Sequence, residues 1–227
     1  MGDTRHGGQG RAQPLHICVE GTKGAGTTTT IAAVRKALEA EGWAVELSAI
    51  FHDGNAWAVT QGYPGGAPMI EASAASNRAI VAWLKARMRA VREGFFEQHQ
   101  WRQRPAVLIS DRGWVTFHAY LYDGRWAEEP GALREINALW DEVLREAPPT
   151  FFVHTRPEVS QRRRAGQLDA VSGLQTDTRL IRDYERRMKL ARVHGDRIAG
   201  MWETTEGPFV DLAPKVLAAL KSMRERP

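Results

Sequence analysis

The sequence predicts a single-domain α/β protein, a parallel sheet of five strands with helices on both faces. Short apolar runs alternate with helix-period stretches along the chain. The first apolar run ends in a glycine-rich turn that leads straight into a helical pattern. The length, 227 residues, is ample for one buried core. Hydrophobic residues make up 43% and charged residues 26%, the balance of a soluble globular chain. No apolar run approaches the ~20 residues that a membrane helix requires.

Each element has its own signal. "LHICVE" (15–20) is mostly apolar and closed by glycine, as a buried parallel strand is. From Thr28 to Glu41, Ile31, Val34 and Leu38 recur at helical spacing. "WAVELSAIF" (43–51) alternates as a second strand, followed by a Gly- and Pro-rich loop over 52–68 and a long helix over about 70–98. "PAVLIS" (105–110) is the third strand. "ALREINALWDEVLRE" (132–146) gathers Leu133, Ile136, Trp140, Val143 and Leu144 on one face of an amphipathic helix. "TFFVH" (150–154) is the fourth strand, and a basic segment and helix run on to about Ala191. "MWETT" (201–205) is the fifth strand and "APKVLAALKSM" (213–223) the closing helix.

The N-terminal "MGDTRHGGQGRAQP" (1–14) lacks the apolar core of a signal peptide and is expected to be a disordered tail, which leaves 15–227 as the domain. Cys18 is the single cysteine, so no internal disulfide forms, and its place in a buried strand fits a reducing cytoplasm. The net charge of +4 suits nucleic acid or a site for several phosphates, and the second reading is preferred. The histidines lack ligand spacing, so no zinc site is expected. Trp83 and Trp140 fall at helix core positions, whereas Trp57 and Trp114 are expected either to pack or to stack on a base.

The turn "EGTKGAGTTT" (20–29) carries the chemistry. A phosphate-binding P-loop reads Gly, any four residues, then Gly-Lys-Ser/Thr. Gly21 and Gly26 have that spacing, and Thr28 stands where the magnesium-binding hydroxyl belongs. Thr27 stands in place of the lysine. Backbone N–H groups around Gly21, Gly24, Ala25 and Gly26 are expected to cradle phosphate at a helix N-terminus, with Thr28 and Thr29 adding hydroxyls. The missing lysine removes a charge that normally stabilises the transferring phosphoryl group. Lys23, earlier in the same loop, is the candidate to restore it, and a solvated loop lysine is the alternative.

Further along, "VLISDRGWVTFHAYLYDGR" (107–125), "YPGGAPMIE" (63–71) and "RPEVSQRRRAGQLD" (156–169) stand in an order that, together with "ICVEGTKGAGTTT", resembles the thymidylate kinase family of P-loop nucleotide kinases. The resemblance spans most of 15–191. It implies the three-layer P-loop kinase fold with a short basic lid over about 162–174. It also implies ATP and Mg2+, a small-molecule nucleotide acceptor, and a homodimer with the helix at 70–98 as candidate interface. Asp111 and Arg112 match the family's Asp-Arg pair, with Asp111 toward magnesium alongside Thr28 and Arg112 clamping the acceptor phosphate. Arg89, with Arg78 the weaker contender, matches an arginine that contacts the acceptor's base. Arg162, Arg163 and Arg164 match the lid, where arginines stabilise transferring charge. Gly65 and Gly66, after Pro64, would shape the acceptor wall, and the loop from Thr205 to Pro208 would face adenine.

The sequence departs from the family pattern at Thr27, at Lys23 (where many members carry an acid), at "GY" (62–63) and in the extra stretch "HDGNAWAVTQG" (52–62). Most of these touch the acceptor side. Three functions therefore stand beside one another: a nucleoside monophosphate kinase acting on dTMP or a related nucleotide, a kinase of a hydroxyl on a nucleoside, modified DNA base or other small metabolite, and a non-catalytic nucleotide-binding protein. A hydroxyl acceptor benefits from a carboxylate base, for which Asp53 is the candidate. Membrane association is not expected, and nucleic acid is the less favoured partner.

Overall fold

The computed structural model describes residues 13–48, 74–100, 104–122, 130–164, 177–205 and 211–225. Strands β1 (Leu15–Gly21), β2 (Ala44–Ser48), β3 (Ala106–Asp111), β4 (Thr150–His154) and β5 (Ile198–Glu203) form one sheet in the order β2-β3-β1-β4-β5. Every pairing is parallel. The helices are α1 (Thr27–Ala40), α2 (Ala74–His99), α3 (Trp114–Tyr122), α4 (Ala132–Arg145), α5 (Pro157–Arg164), α6 (Asp177–Val193) and α7 (Ala213–Glu225). This is the three-layer α/β architecture that the alternating pattern predicts, and it is consistent with the P-loop kinase fold.

Burial follows the pleat. Ile17, Val19, Val107, Ile109, Phe151 and Val153 point to one face, where Ile31, Val34 and Leu38 of α1 and Val216 and Leu220 of α7 cover them. Phe152 points the other way, into a cluster with Trp114 and Phe117 of α3, Trp140 of α4 and Met188 of α6. Ala44, Ala106 and Leu108 meet Phe95 of α2. Both faces are covered over the central strands, so β1, β3 and β4 read as mostly apolar runs, whereas β2 at the sheet's edge alternates and leaves Leu47 exposed.

Several boundaries differ from the sequence reading. The helix α3, "WVTFHAYLY", carries no polar face and so no helical period to detect. Strand β5 begins at Ile198, earlier than expected, because it continues through Gly200. A Cβ there would lie 2.5 Å from the Trp202 ring, so only glycine leaves that ring its place. On α4 the buried stripe runs Ala132, Ile136, Trp140, Val143. Leu133 lies off this stripe at 56% exposure, against the expectation that it shared the apolar face. No described helix is long and apolar enough to cross a membrane.

Candidate active site

In an open parallel sheet, ligands bind beyond the carboxyl ends of the strands where the connections reverse direction. Here β1 leads through α1 to β2 on one side, while β3 leads back past β1 to β4 on the other. The crevice therefore opens at the ends of β1 and β3, and the predicted loop and Asp111 lie on its two sides. Val19 is paired in register with Asp111. A cavity of about 350 Å³ runs along the flank of α1, beside Ile31, Arg35, Lys36 and Leu47, and has Thr28 and Asp111 in its wall, without Gly21–Gly26 or Arg112 among its described lining residues.

The loop between β1 and α1 is shaped by glycines. Gly24 (φ +71°) and Gly26 (φ +87°) occupy the left-handed region that L side chains rarely adopt. At Gly21 a Cβ would lie 2.2 Å from the Val153 carbonyl oxygen. The loop is pinned by Thr22, whose N–H donates to the Val153 carbonyl (3.1 Å) and whose hydroxyl accepts from the Thr155 N–H (2.9 Å). Helix α1 then begins at Gly26 with no side-chain cap and no acidic residue in its first turn. Its positive end is thus left for a ligand, and an anion fits such a site. Thr28 and Thr29 are exposed there, and Lys23 and Thr27 are partly exposed. The Thr27 methyl lies over Gly21, 2.7 Å from where a Cβ on that glycine would stand.

Across the crevice, Asp111 and Arg112 form the turn between β3 and α3. Arg112 has φ +76°, unusual for a residue with a side chain. Its N–H donates to the Val19 carbonyl (3.0 Å), which holds the turn against β1. The next residue must be glycine, because a Cβ on Gly113 would lie 2.7 Å from Cys18 Sγ. Buried Glu20 completes the turn. It accepts from the Gly113 N–H, from the Thr116 N–H (3.0 Å) and from Thr116 Oγ1 (2.9 Å), and so caps α3. Cys18 lies in the same layer, where burial first, then the Glu20 and Asp111 charges, push its thiol well above the usual range. It is a packed, inert thiol.

The lid side contributes Arg163, but not in the expected direction. Its Nη1 donates to the Gly24 carbonyl (3.0 Å) and to Thr204 Oγ1 (3.1 Å), and its Nη2 to the Thr205 carbonyl. Thr204 Oγ1 in turn donates to the Ala25 carbonyl (3.1 Å). Arg163 therefore ties the tip of the phosphate loop to the end of β5. Arg162 is exposed on the same helix.

Arg89 lies elsewhere. Helix α2 crosses the sheet and carries Arg89 to its amino edge, where it pairs with Glu146 beside Arg92. It shares a small cavity there with His16 and Pro148, which sit at the starts of β1 and β4. The structure does not bring Arg89 to the crevice. Trp114 is 1% exposed, and its Nε1–H donates to Thr150 Oγ1 (2.8 Å), so it packs instead of offering a stacking face. Asp53, Trp57, Pro64, Gly65, Gly66 and the loop beyond Thr205 lie outside the described residues, as do the side chains of Arg78, Trp83 and Arg164 and most of the expected lid. Glu20 and Arg187 are the site residues that sequence reasoning missed. A charged residue ending an apolar strand, immediately before the first loop glycine, is the available signal for Glu20.

No protein-family model matches the chain, and a search of curated proteins finds no match.

Proposed function

We propose that the chain is a thymidylate-kinase-like phosphotransferase that moves the γ-phosphoryl group of ATP onto a nucleoside monophosphate. One observation carries this reading. An uncapped helix N-terminus behind a glycine-shaped loop faces an Asp-Arg turn across the switch point, with Thr28 and Asp111 in one cavity wall. Turn and loop are each locked by buried hydrogen bonds, as a site that works by positioning requires.

The N–H groups opening α1 would bind the phosphates of ATP. Thr28 and Asp111 are an all-oxygen donor set suited to Mg2+. The ion, when bound, neutralises charge on the phosphoryl oxygens. Arg112 would orient the acceptor phosphate, which is already nucleophilic and needs no general base. Because Thr27 turns its methyl toward Gly21, the charge of the missing lysine must come from another group. Lys23, partly exposed on the same loop, is the assigned surrogate.

The test is ATP turnover with magnesium over nucleoside monophosphates and then nucleosides, wild type beside Lys23→Ala and Thr27→Lys. Transfer to a monophosphate that collapses in Lys23→Ala supports the reading. Transfer only to a nucleoside redirects it to a hydroxyl acceptor with Asp53 as candidate base. Tight ATP binding without turnover, converted to turnover by Thr27→Lys, identifies a nucleotide-binding protein that has lost its chemistry.

A further inference from the structure

We infer that Arg187 of α6, acting with Glu20, is a positioning residue that holds the phosphate loop and the Asp111–Arg112 turn in one fixed relation. The inference rests on the proposed phosphotransferase reading, and nothing in the loop motif calls for it.

Arg187 is 5% exposed. Its Nε donates to both carboxylate oxygens of Asp183, one helical turn earlier (2.9 and 3.0 Å). That contact fixes the guanidinium plane and turns Nη1 toward the sheet. Nη1 donates to the Gly21 carbonyl and to Thr116 Oγ1, each at 3.3 Å. It also stands 3.7 Å from Glu20 Oε2. One guanidinium thus touches the first glycine of the phosphate loop, the first turn of α3, and the carboxylate that caps α3. Glu20, fully buried, holds the Gly113 and Thr116 amides on its other side.

The energetics favour a geometric role over a stabilising one. A buried ion pair contributes little net stability, because desolvation offsets its attraction. A rigid, planar donor fork, by contrast, fixes directions that neither a lysine nor an apolar side chain reproduces. The two walls of the crevice come from different connections, the β1–α1 loop and the β3–α3 turn. Arg187 joins them from a third element, α6. Arg187 and Glu20 act on the Gly113–Thr116 segment that follows Asp111, so their loss changes the spacing of the two walls, and misplacements of about 1 Å from outside a reaction centre can cost on the order of 100-fold in rate.

The experiment compares Arg187→Met, Glu20→Gln, the double variant and Arg187→Lys with wild type. Thermal unfolding, ATP affinity with and without magnesium, kcat and KM, and amide hydrogen exchange without nucleotide are measured. Arg187→Met alone lowers Tm, because the buried Glu20 carboxylate loses its cationic partner. The double variant recovers most of that Tm. It nevertheless keeps a weaker affinity for ATP in magnesium, a smaller change without magnesium, and a loss in kcat, up to about 100-fold, that exceeds the rise in KM. Its amide exchange rises at Gly113–Thr116 and Gly21–Ala25 while β4 stays protected. Arg187→Lys keeps the charge but shows the same exchange pattern. A double variant with wild-type exchange and ATP affinity overturns the inference, as does increased exchange confined to α6 or spread evenly over the sheet. Exchange is read without ligand, so it decides the role of Arg187 even where no acceptor is phosphorylated and the proposed function itself fails.

Discussion

Adding one methyl group at Gly24 tests how closely α5 seats against the phosphate loop. Gly24 has φ +71°, and an alanine held there costs about 1–2 kcal/mol through left-handed strain. The new Cβ would also lie 2.7 Å from Ser160 Oγ and 3.1 Å from Ser160 Cα. The Oγ can rotate away, but the Cα belongs to the α5 backbone and must move with it. Overpacking of this kind adds about 1–3 kcal/mol, so Gly24→Ala is expected to cost about 2–5 kcal/mol in all. Gly26 is the internal control. It has φ +87° and nothing within 4 Å of an added Cβ, so Gly26→Ala carries only the strain of about 1–2 kcal/mol. Gly42, at φ +83° and equally open, is a second control far from the loop. Urea unfolding at constant m measures all three. Ser160→Ala in the Gly24→Ala background removes the closest contact. Because Ser160 Oγ is buried without a hydrogen-bond partner among the described residues, that change is cheap in itself and recovers part of the loss. Equal costs at Gly24, Gly26 and Gly42 would refute the seating of α5 on the loop tip.

Thr150→Val leaves the buried Trp114 indole N–H without its acceptor and is expected to lower unfolding free energy by about 1–3 kcal/mol, whereas Thr150→Ser stays near wild type; denaturant titration separates them. Acid sensitivity follows from His16, whose imidazole is held down at about 4 by burial and, secondarily, by Arg92. Its folded pKa is depressed, so its contribution is intact above the unfolded value near 6.5 and is lost as pH falls from there toward 4. Between pH 7 and 5 this site alone lowers stability by about 1–2 kcal/mol, and His16→Gln flattens that slope in denaturation curves at the two pH values. His118, at about 4 from burial first and Arg186 next, contributes over the same window. Arg89→Ala, at a residue paired with Glu146 on the far edge of the sheet, leaves the acceptor KM unchanged in steady-state assays; a raised KM would return Arg89 to the acceptor pocket.

Residue types and spacing made the sheet legible, because the central strands are short apolar runs and helices such as α1 and α4 carry an apolar stripe. The strand–turn–helix geometry of the glycine-rich loop was legible for the same local reason: glycines, a preceding strand and a following helix all lie within one continuous segment. What escaped is what depends on distant partners. Helix α3 is apolar on every side because α2, α4 and α6 enclose it, so no period marks it. Nothing near Arg187 in sequence reveals Glu20, since they meet only after β1 and α6 have packed. Arg163 was read for its charge, and the structure spends that charge on backbone carbonyls of Gly24 and Thr205. Arg89 was matched to a family arginine by its place in the chain, which cannot say how far a long helix travels across a sheet.

The strand order also dictates when this protein can fold as it leaves a ribosome. β1 is made first yet pairs with β3 and β4, both synthesised much later. Until Thr150–His154 have emerged, the backbone N–H and C=O groups along one edge of β1 have no permanent partner. The nascent chain therefore carries a sticky, half-templated strand until β4 emerges, and long-range parallel pairing of this kind forms slowly. Any fragment ending before β4 should be a substrate for chaperones, and the glycine-rich loop, hung from the end of β1, is set in place only once Arg163, Arg187 and Thr204 have followed.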